Sequence, residues 1–196
     1  NYFTYLYMFE EDKDLLNKKL TSMIRAIKRN ILGLPVKNKS IVYNIWSDFG
    51  GNGKTYMIEQ LHNLVDDTSL NISFLDITTG YTVGLEDTGI ICHFDELDTV
   101  IGTQATNLIK KLTGSETFTI KEKYEKARCI RNNKVWITTT NRPITETIFT
   151  NTAERRCVTL AFIGRRYDFK NQDQDVQYIW QALLSTCPIK EEEWQR

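Results

Sequence analysis

One junction restricts the possible folds of this chain more than any other. The apolar run Ile41-Val42-Tyr43-Asn44-Ile45-Trp46 reads as a strand, and Tyr56 to Val65 reads as a helix. Between them lies Gly50-Gly51-Asn52-Gly53-Lys54-Thr55. A strand delivered into a helix through a glycine-rich turn is the start of a parallel α/β unit. Glycines let successive N–H groups turn toward one point, and the helix N-terminus adds its positive dipole end. Such a turn is a cradle for polyphosphate: Gly50, Gly51, Asn52 and Gly53 shape it, Lys54 reaches the β- and γ-phosphates, and the Thr55 hydroxyl holds Mg²⁺. A Gly/Asn-rich surface turn that happens to precede Lys-Thr is the plainer alternative. The Walker A pattern also asks for glycine six positions before the lysine, where this chain has Asp48.

The chain's 196 residues suit one domain, or one domain with a small appendage, and can bury a sizeable core. Lys+Arg and Asp+Glu balance at 25 each, so contact with a polyanion has to come from a local patch. No stretch approaches the roughly 20 apolar residues of a membrane span. The aromatic opening Asn1 to Phe9 lacks the basic region and the small-residue cleavage site of a signal peptide. Without an initiator Met, the chain is expected to be an excised piece of a longer protein. Cys92, Cys129, Cys157 and Cys187 show no paired spacing, and three lie in strand-like runs. Reduced core thiols in a cytosolic-type compartment are the expectation.

Three segments emerge along the chain. Residues 1–38 form a small N-terminal helical subdomain, because Asp14 to Ile27 places apolar groups at three- and four-residue intervals. Gly33-Leu34-Pro35 stops that helix, and Lys37 to Ser40 makes a polar hinge. Residues 39–165 form an α/β core with a mostly parallel five-stranded sheet between helices. Its strands are predicted at 41–46, 72–77, 90–94, 135–140 and 158–162, with a helix around 103–112 and a hairpin over 116–131. Residues 166–196 form a C-terminal helical segment, with an amphipathic run from Val176 to Leu184.

The strand Ile90 to Phe94 ends in Asp95-Glu96, at the strand edge where parallel sheets bind ligands. Asp95 is suited to holding the water shell of Mg²⁺, and Glu96 to activating a water. Capping of the next helix is the alternative for this pair. Asp98 is read as solvent-facing. Cys92 and His93 point to opposite faces of their strand and read as core rather than as a shared metal site. The strand Val135 to Thr140 ends in Asn141-Arg142-Pro143, either a polar edge residue placed to orient water or ordinary turn chemistry. Glu154-Arg155-Arg156 precedes the last strand, and arginine forks onto phosphate oxygens when it is not held in a structural ion pair.

In this order the elements resemble those of a superfamily 3 helicase of the AAA+ class, most closely the ATPase part of primase-helicases of DNA viruses, phages and plasmids. The residues carrying the resemblance are Gly50 to Thr55 for motif A, Phe94-Asp95-Glu96 for motif B, Lys110 to Glu116 for the B′ region and Thr139 to Pro143 for motif C. It covers about Ser40 to Phe162. The segment Thr78 to Gly89 is short for a full helix between motifs A and B.

The resemblance implies an AAA+ P-loop NTPase core that binds ATP and Mg²⁺. It implies that Asn141 is sensor 1, and that Arg156 is an arginine finger supplied to a neighbouring subunit of a homo-hexamer. It also implies that the 116–131 hairpin lines the ring's pore and grips single-stranded nucleic acid, DNA in preference to RNA. Lys121, Lys123 and Lys126 then offer phosphate contacts and Tyr124 a stacking face. Catalysis would rest on Lys54, Glu96, Asn141 and Arg156. The expected protein is a soluble helicase motor in the host cytoplasm, acting in replication of a virus, phage or plasmid. A replication loader or remodelling ATPase that does not translocate is one alternative. A degenerate nucleotide-binding scaffold, suggested by Asp48, is the other.

Overall fold

The computed structural model describes residues 8–9, 13–34, 41–48, 50–65, 69–71, 90–100, 102–120, 126–163, 181–182 and 184–187. Its strands are β1 (Met8–Phe9), β2 (Val42–Trp46), β3 (Ser69–Asn71), β4 (Ile91–Phe94), β5 (Thr117–Ile120), β6 (Arg128–Arg131), β7 (Val135–Thr140) and β8 (Cys157–Ile163). Its helices are α1 (Lys13–Ile31), α2 (Lys54–Val65), α3 (Thr103–Gly114), α4 (Ile144–Thr147) and α5 (Asn151–Glu154).

Six strands form one sheet in the order β1-β8-β2-β7-β4-β3. The run from β8 to β3 is parallel throughout, and β1 closes one edge antiparallel to β8. The mostly parallel α/β architecture is therefore present, with a different strand count from the five expected. Met8–Phe9 pairs as a strand in a stretch read as helical, because two residues carry no periodicity and their partners, Ile163 and Phe162, are remote in sequence. The strand expected over 72–77 lies outside the described residues, and β3 ends just before it. The segment 78–89 and most of the C-terminal helical segment lie outside them as well.

Both faces of the sheet are covered, which is why its strands read as continuous apolar runs rather than alternating ones. Tyr43, Ile45, Ile91, Val135, Ile137 and Leu160 face a cluster completed by Leu16, Leu20, Met23, Ile24 and Ile27 of α1 and Met57, Ile58 and Leu61 of α2. Each fully buried aliphatic side chain contributes about 1.5–3 kcal/mol. Polar ties also fix α1: Ser22 Oγ and Tyr43 OH lie 2.9 Å apart, and Lys19 Nζ donates to Thr159 O at 2.7 Å. Helix α1 thus shares one core with the sheet. Val42, Cys92, Phe94 and Trp136 face the second cluster, with Leu108, Ile109 and Leu112 of α3. Among the described residues no helix is long and apolar enough to cross a membrane.

The β5–β6 hairpin stands apart from the sheet, and its base is pinned by one buried side chain. Asn132 Nδ2 donates to Leu112 O and Ser115 O at 2.8 Å each, and Asn132 Oδ1 accepts from Trp136 Nε1 at 3.2 Å. Phe118 packs edge-on against Trp136 with ring centroids 5.7 Å apart. The opposite face, Thr117, Thr119, Cys129 and Arg131, is exposed. Cys129 is therefore not the core thiol expected of it, since alternation in a two-stranded hairpin leaves every second residue outside. Cys92 is fully buried, and burial pushes its thiol up to about 12.

Candidate functional site

Strand register brings the three motif segments to one edge. Trp46 pairs with Thr140 and Ala161, and Phe94 pairs with Thr138. The residues that follow consequently emerge close together: Ser47 is level with Asn141, and Asp95 is level with Thr139, two residues lower. This is the C-terminal edge, where the crevices of open parallel sheets lie. A cleft of about 270 Å³ opens there, lined by Gly50 to Tyr56, Asp95, Glu96, Thr139 and Asn141.

The loop's shape depends on its glycines. Gly51 has φ +72° and Gly53 φ +91°, conformations in which a Cβ would be strained. Open space lies where side chains at Gly50 and Gly51 would project, so the backbone is free to approach a ligand. Helix α2 begins directly at Lys54, which aims its N-terminal N–H groups at the same space. Asp48 is exposed at the entry to the loop.

Lys54 is 6% exposed, and its ammonium donates to Ser47 Oγ at 2.9 Å, Asn141 Oδ1 at 2.8 Å and Asn52 Oδ1 at 3.3 Å. Burial lowers its pKa from 10.5, while the charges of Asp98, Asp95 and Glu96 pull it back up. Asn52 Nδ2 also donates to Ser47 Oγ. The Thr55 hydroxyl reaches both oxygens of Asp95, at 3.2 and 3.3 Å. Thr139 Oγ1 donates to the same carboxylate and accepts the Glu96 N–H at 2.9 Å. Glu96 itself is exposed and left-handed, with φ 50° and ψ 58°. For a side chain other than glycine that conformation costs about 1–2 kcal/mol.

The residues anticipated for the phosphate cradle, for Mg²⁺ and for water thus share one cleft. Three contributors were not anticipated. Ser47 lies just past the strand predicted at 41–46 and was given no role, and Thr139 was read as strand and as the start of motif C without a role of its own. Asp98, read as facing solvent, instead accepts the Asn141 N–H on Oδ2 at 3.2 Å and has a buried Oδ1. The correction follows from the short 3₁₀ turn Leu97–Thr99, which folds Asp98 back toward β7.

Arg156 lies at the other end of the strands. Its carbonyl accepts the Val42 N–H at 2.7 Å, so the length of β2, about 15 Å, separates it from the loop of its own chain. Its Nη1 donates to Thr113 Oγ1 at 3.0 Å and Lys110 O at 3.4 Å, whereas Arg155 is exposed. Lys121, Lys123 and Tyr124 lie outside the described residues, and Lys126 is exposed beside the start of β6.

Behind the cleft, His93 and His62 meet edge to face with centroids 5.9 Å apart, and His93 Nε2 stands 3.7 Å from Asp95 Oδ1. Burial pushes both imidazoles from 6.5 down to about 4, with His93 adding to the effect on His62 and Asp95 opposing it on His93. The folded state holds both rings neutral, while the unfolded chain takes up protons near pH 6.5. Stability is therefore intact above about pH 6.5 and lost as pH falls toward 4. The expected loss by pH 4.5 is on the order of 3 kcal/mol, mostly from His93 because His62 is partly exposed. Urea midpoints at pH 7 and 4.5 check this, and equal midpoints at the two would refute it.

An α/β domain in which a glycine loop, an acidic strand end and an asparagine strand end share one cleft is compatible with a P-loop-like core. The chain belongs to the Family of unknown function DUF5906, whose model matches residues 45–156. No curated protein matches the chain. Among solved structures, the A-form apo C-terminal region of NrS-1 (305–718) is similar at a TM-score of 0.63 and 16% identity, over 92% of this chain and 44% of that one. A second apo structure of that region gives 0.62 and 17%, over 92% and 45%. The chain spans under half the length of these structures, and at such identity the likeness shows the fold alone. JCV helicase with a bound thiazolopyridine compound matches at a TM-score of only 0.45 and 17% identity, over 87% of this chain and 55% of that one. That match is too distant to bear on the fold or the site.

Proposed function

We propose that this chain is the ATP-hydrolysing motor of a helicase of superfamily 3 and the AAA+ class, working in replication of a virus, phage or plasmid. The observation that carries this reading is the meeting of three sheet-edge segments: Lys54 bonded to Asn141, and Thr55 bonded to Asp95, at the mouth of a left-handed glycine loop. The residues fit ATP and Mg²⁺. Gly50 and Gly51 leave the approach open, and the Lys54 ammonium is held at a burial cost that phosphate oxygens would offset. The Thr55 hydroxyl and the Asp95 carboxylate together offer oxygen ligands of the kind Mg²⁺ takes, alongside waters and phosphate. When bound, Mg²⁺ neutralises charge on the phosphates.

In this reading Glu96 takes a proton from the attacking water and Asn141 orients that water. Lys54 donates to phosphate oxygens as negative charge shifts in the transition state. Arg156 enters the loop of a neighbouring copy in a homo-hexamer. Only its Nη1 is hydrogen-bonded among the described residues, which leaves the rest of the fork for phosphate. Arg155 is the second reading, favoured by its exposure. The hairpin, through Lys121, Lys123, Tyr124 and Lys126, grips single-stranded DNA, and the motor acts in the host cytoplasm.

The test is phosphate release from ATP against protein concentration, with and without single-stranded DNA. Cooperative onset and stimulation by DNA are expected. Turnover without DNA stimulation would favour a loader, and none in the assembled protein would favour a scaffold. Arg156→Ala is expected to lower turnover about 10³-fold in the assembled protein. Mixing it with Lys54→Ala subunits should restore part of the activity, because each variant supplies what the other lacks. If the Arg155→Ala variant complements instead, the finger is Arg155.

A further inference from the structure

The chain leaves β4 through a left-handed Glu96 and turns back at once. Thr99 closes this turn on the Glu96 carbonyl twice, through its N–H at 2.9 Å and its hydroxyl at 2.8 Å. Leu97 anchors it in the core at 1% exposure. Asp98 is thereby returned to the end of β7. The pairing of β7 with β2 and β4 stops at Thr140 and Thr138, so the Asn141 N–H has no ladder partner and must find another acceptor. Asp98 Oδ2 is that acceptor at 3.2 Å, and a carboxylate makes the bond charge-assisted. The Asn141 side chain in turn accepts from Lys54 at 2.8 Å. Of the acids near Lys54, Asp98 has the largest electrostatic pull, although it makes no hydrogen bond to the ammonium among the described residues.

We infer that Asp98 is a positioning residue of the phosphate cleft: its bond to the Asn141 backbone fixes where the Asn141 amide stands against Lys54. The turn after β4 and the end of β7 are then joined at two points. Thr139 holds Asp95 and the Glu96 N–H, and Asp98 holds Asn141. The first point sets the carboxylates and the second sets the amide. Without the second, only the Lys54 bond and the turn before Pro143 are left to place the Asn141 amide. What the positioned amide does for turnover rests on the function proposed above, whereas the backbone clamp stands by itself.

Two variants separate the hydrogen bond from the charge. Asp98→Asn keeps an acceptor for the Asn141 N–H, and Asp98→Ala removes it. Amide hydrogen exchange at Asn141 in nucleotide-free protein is expected to speed up about tenfold or more in Asp98→Ala and to stay within about threefold of wild type in Asp98→Asn. The kcat for ATP should fall about 10- to 100-fold in Asp98→Ala with KM within about threefold, and Asp98→Asn should recover most of it. Unchanged exchange in Asp98→Ala overturns the inference. So does an Asn variant as impaired as the Ala variant in kcat, because charge on Lys54 would then be the route. Should wild type release no phosphate, the helicase reading falls, and the exchange measurement alone decides the clamp.

Discussion

Lys54→Ala is expected to lower ATP turnover by at least about 10³-fold while changing the thermal midpoint by only a few degrees. The asymmetry follows from the ammonium's surroundings. Ser47, Asn52 and Asn141 all accept from it, so truncation leaves buried acceptors without that donor, a loss of about 1–3 kcal/mol. Burial also lowers the Lys54 pKa, which means that the folded protein carries this charge at a disadvantage that the truncation removes. The two contributions oppose each other in stability. In turnover they do not, because a phosphate oxygen would meet the positive charge only in the wild type. The same shift gives a pH signature. A lysine with a lowered folded pKa makes stability rise as pH climbs from that value toward 10.5, and Lys54→Ala should flatten the rise. Phosphate release, thermal melts and urea titrations at pH 8 and 10 measure turnover, midpoint and pH signature in turn. Wild-type turnover in the variant would remove the loop from the site.

The parts of this site that were legible in the sequence are those whose meaning is local. Gly50 to Thr55 announces itself because strand, turn and helix are contiguous, and Asp95 and Asn141 because each follows a strand-like run. Their convergence needed only the rule that parallel strands present ligands at one edge, and the register of β2, β4 and β7 follows it. The missed residues depend on partners about 40 positions away. Thr139 meets Asp95 and Asp98 meets Asn141 across strands whose relative level no single run reveals. Ser47 fell between strand and loop and carried no signal in either.

The same distinction applies to the fold. Helix α1 was readable because its buried residues, Leu16 to Ile27, recur at helical spacing over about three turns, and it closes at Gly33 as expected. Strand β1 has two residues and is created by its partner β8, so nothing within Asn1 to Phe9 could have set it apart from a helix. The hairpin was visible from alternation, but which face packs was decided by Trp136 and Asn132, both outside the hairpin. That choice is what exposes Cys129.

Glu96→Gln should abolish most turnover, by about 10²–10⁴-fold, while leaving nucleotide affinity within about threefold of wild type. The two adjacent carboxylates differ in what already engages them. Asp95 accepts from Thr55 and Thr139, an arrangement suited to holding a cation and its waters. Glu96 is exposed at the lip of the cleft, and its backbone is fixed left-handed by Thr139 and by the 3₁₀ turn. Gln retains size and polarity and adopts that backbone no worse than Glu, so the substitution removes a proton acceptor and little else. Bound ATP should then persist, and single-turnover experiments should show slow cleavage after normal binding. Asp95→Asn should behave differently, with the Mg²⁺ dependence of nucleotide binding weakened and the loss appearing in KM as well as kcat. If both variants lose affinity equally, the pair acts as one metal site and the base lies elsewhere. Full turnover by Glu96→Gln would show that the left-handed strand end places Glu96 for some purpose other than water activation.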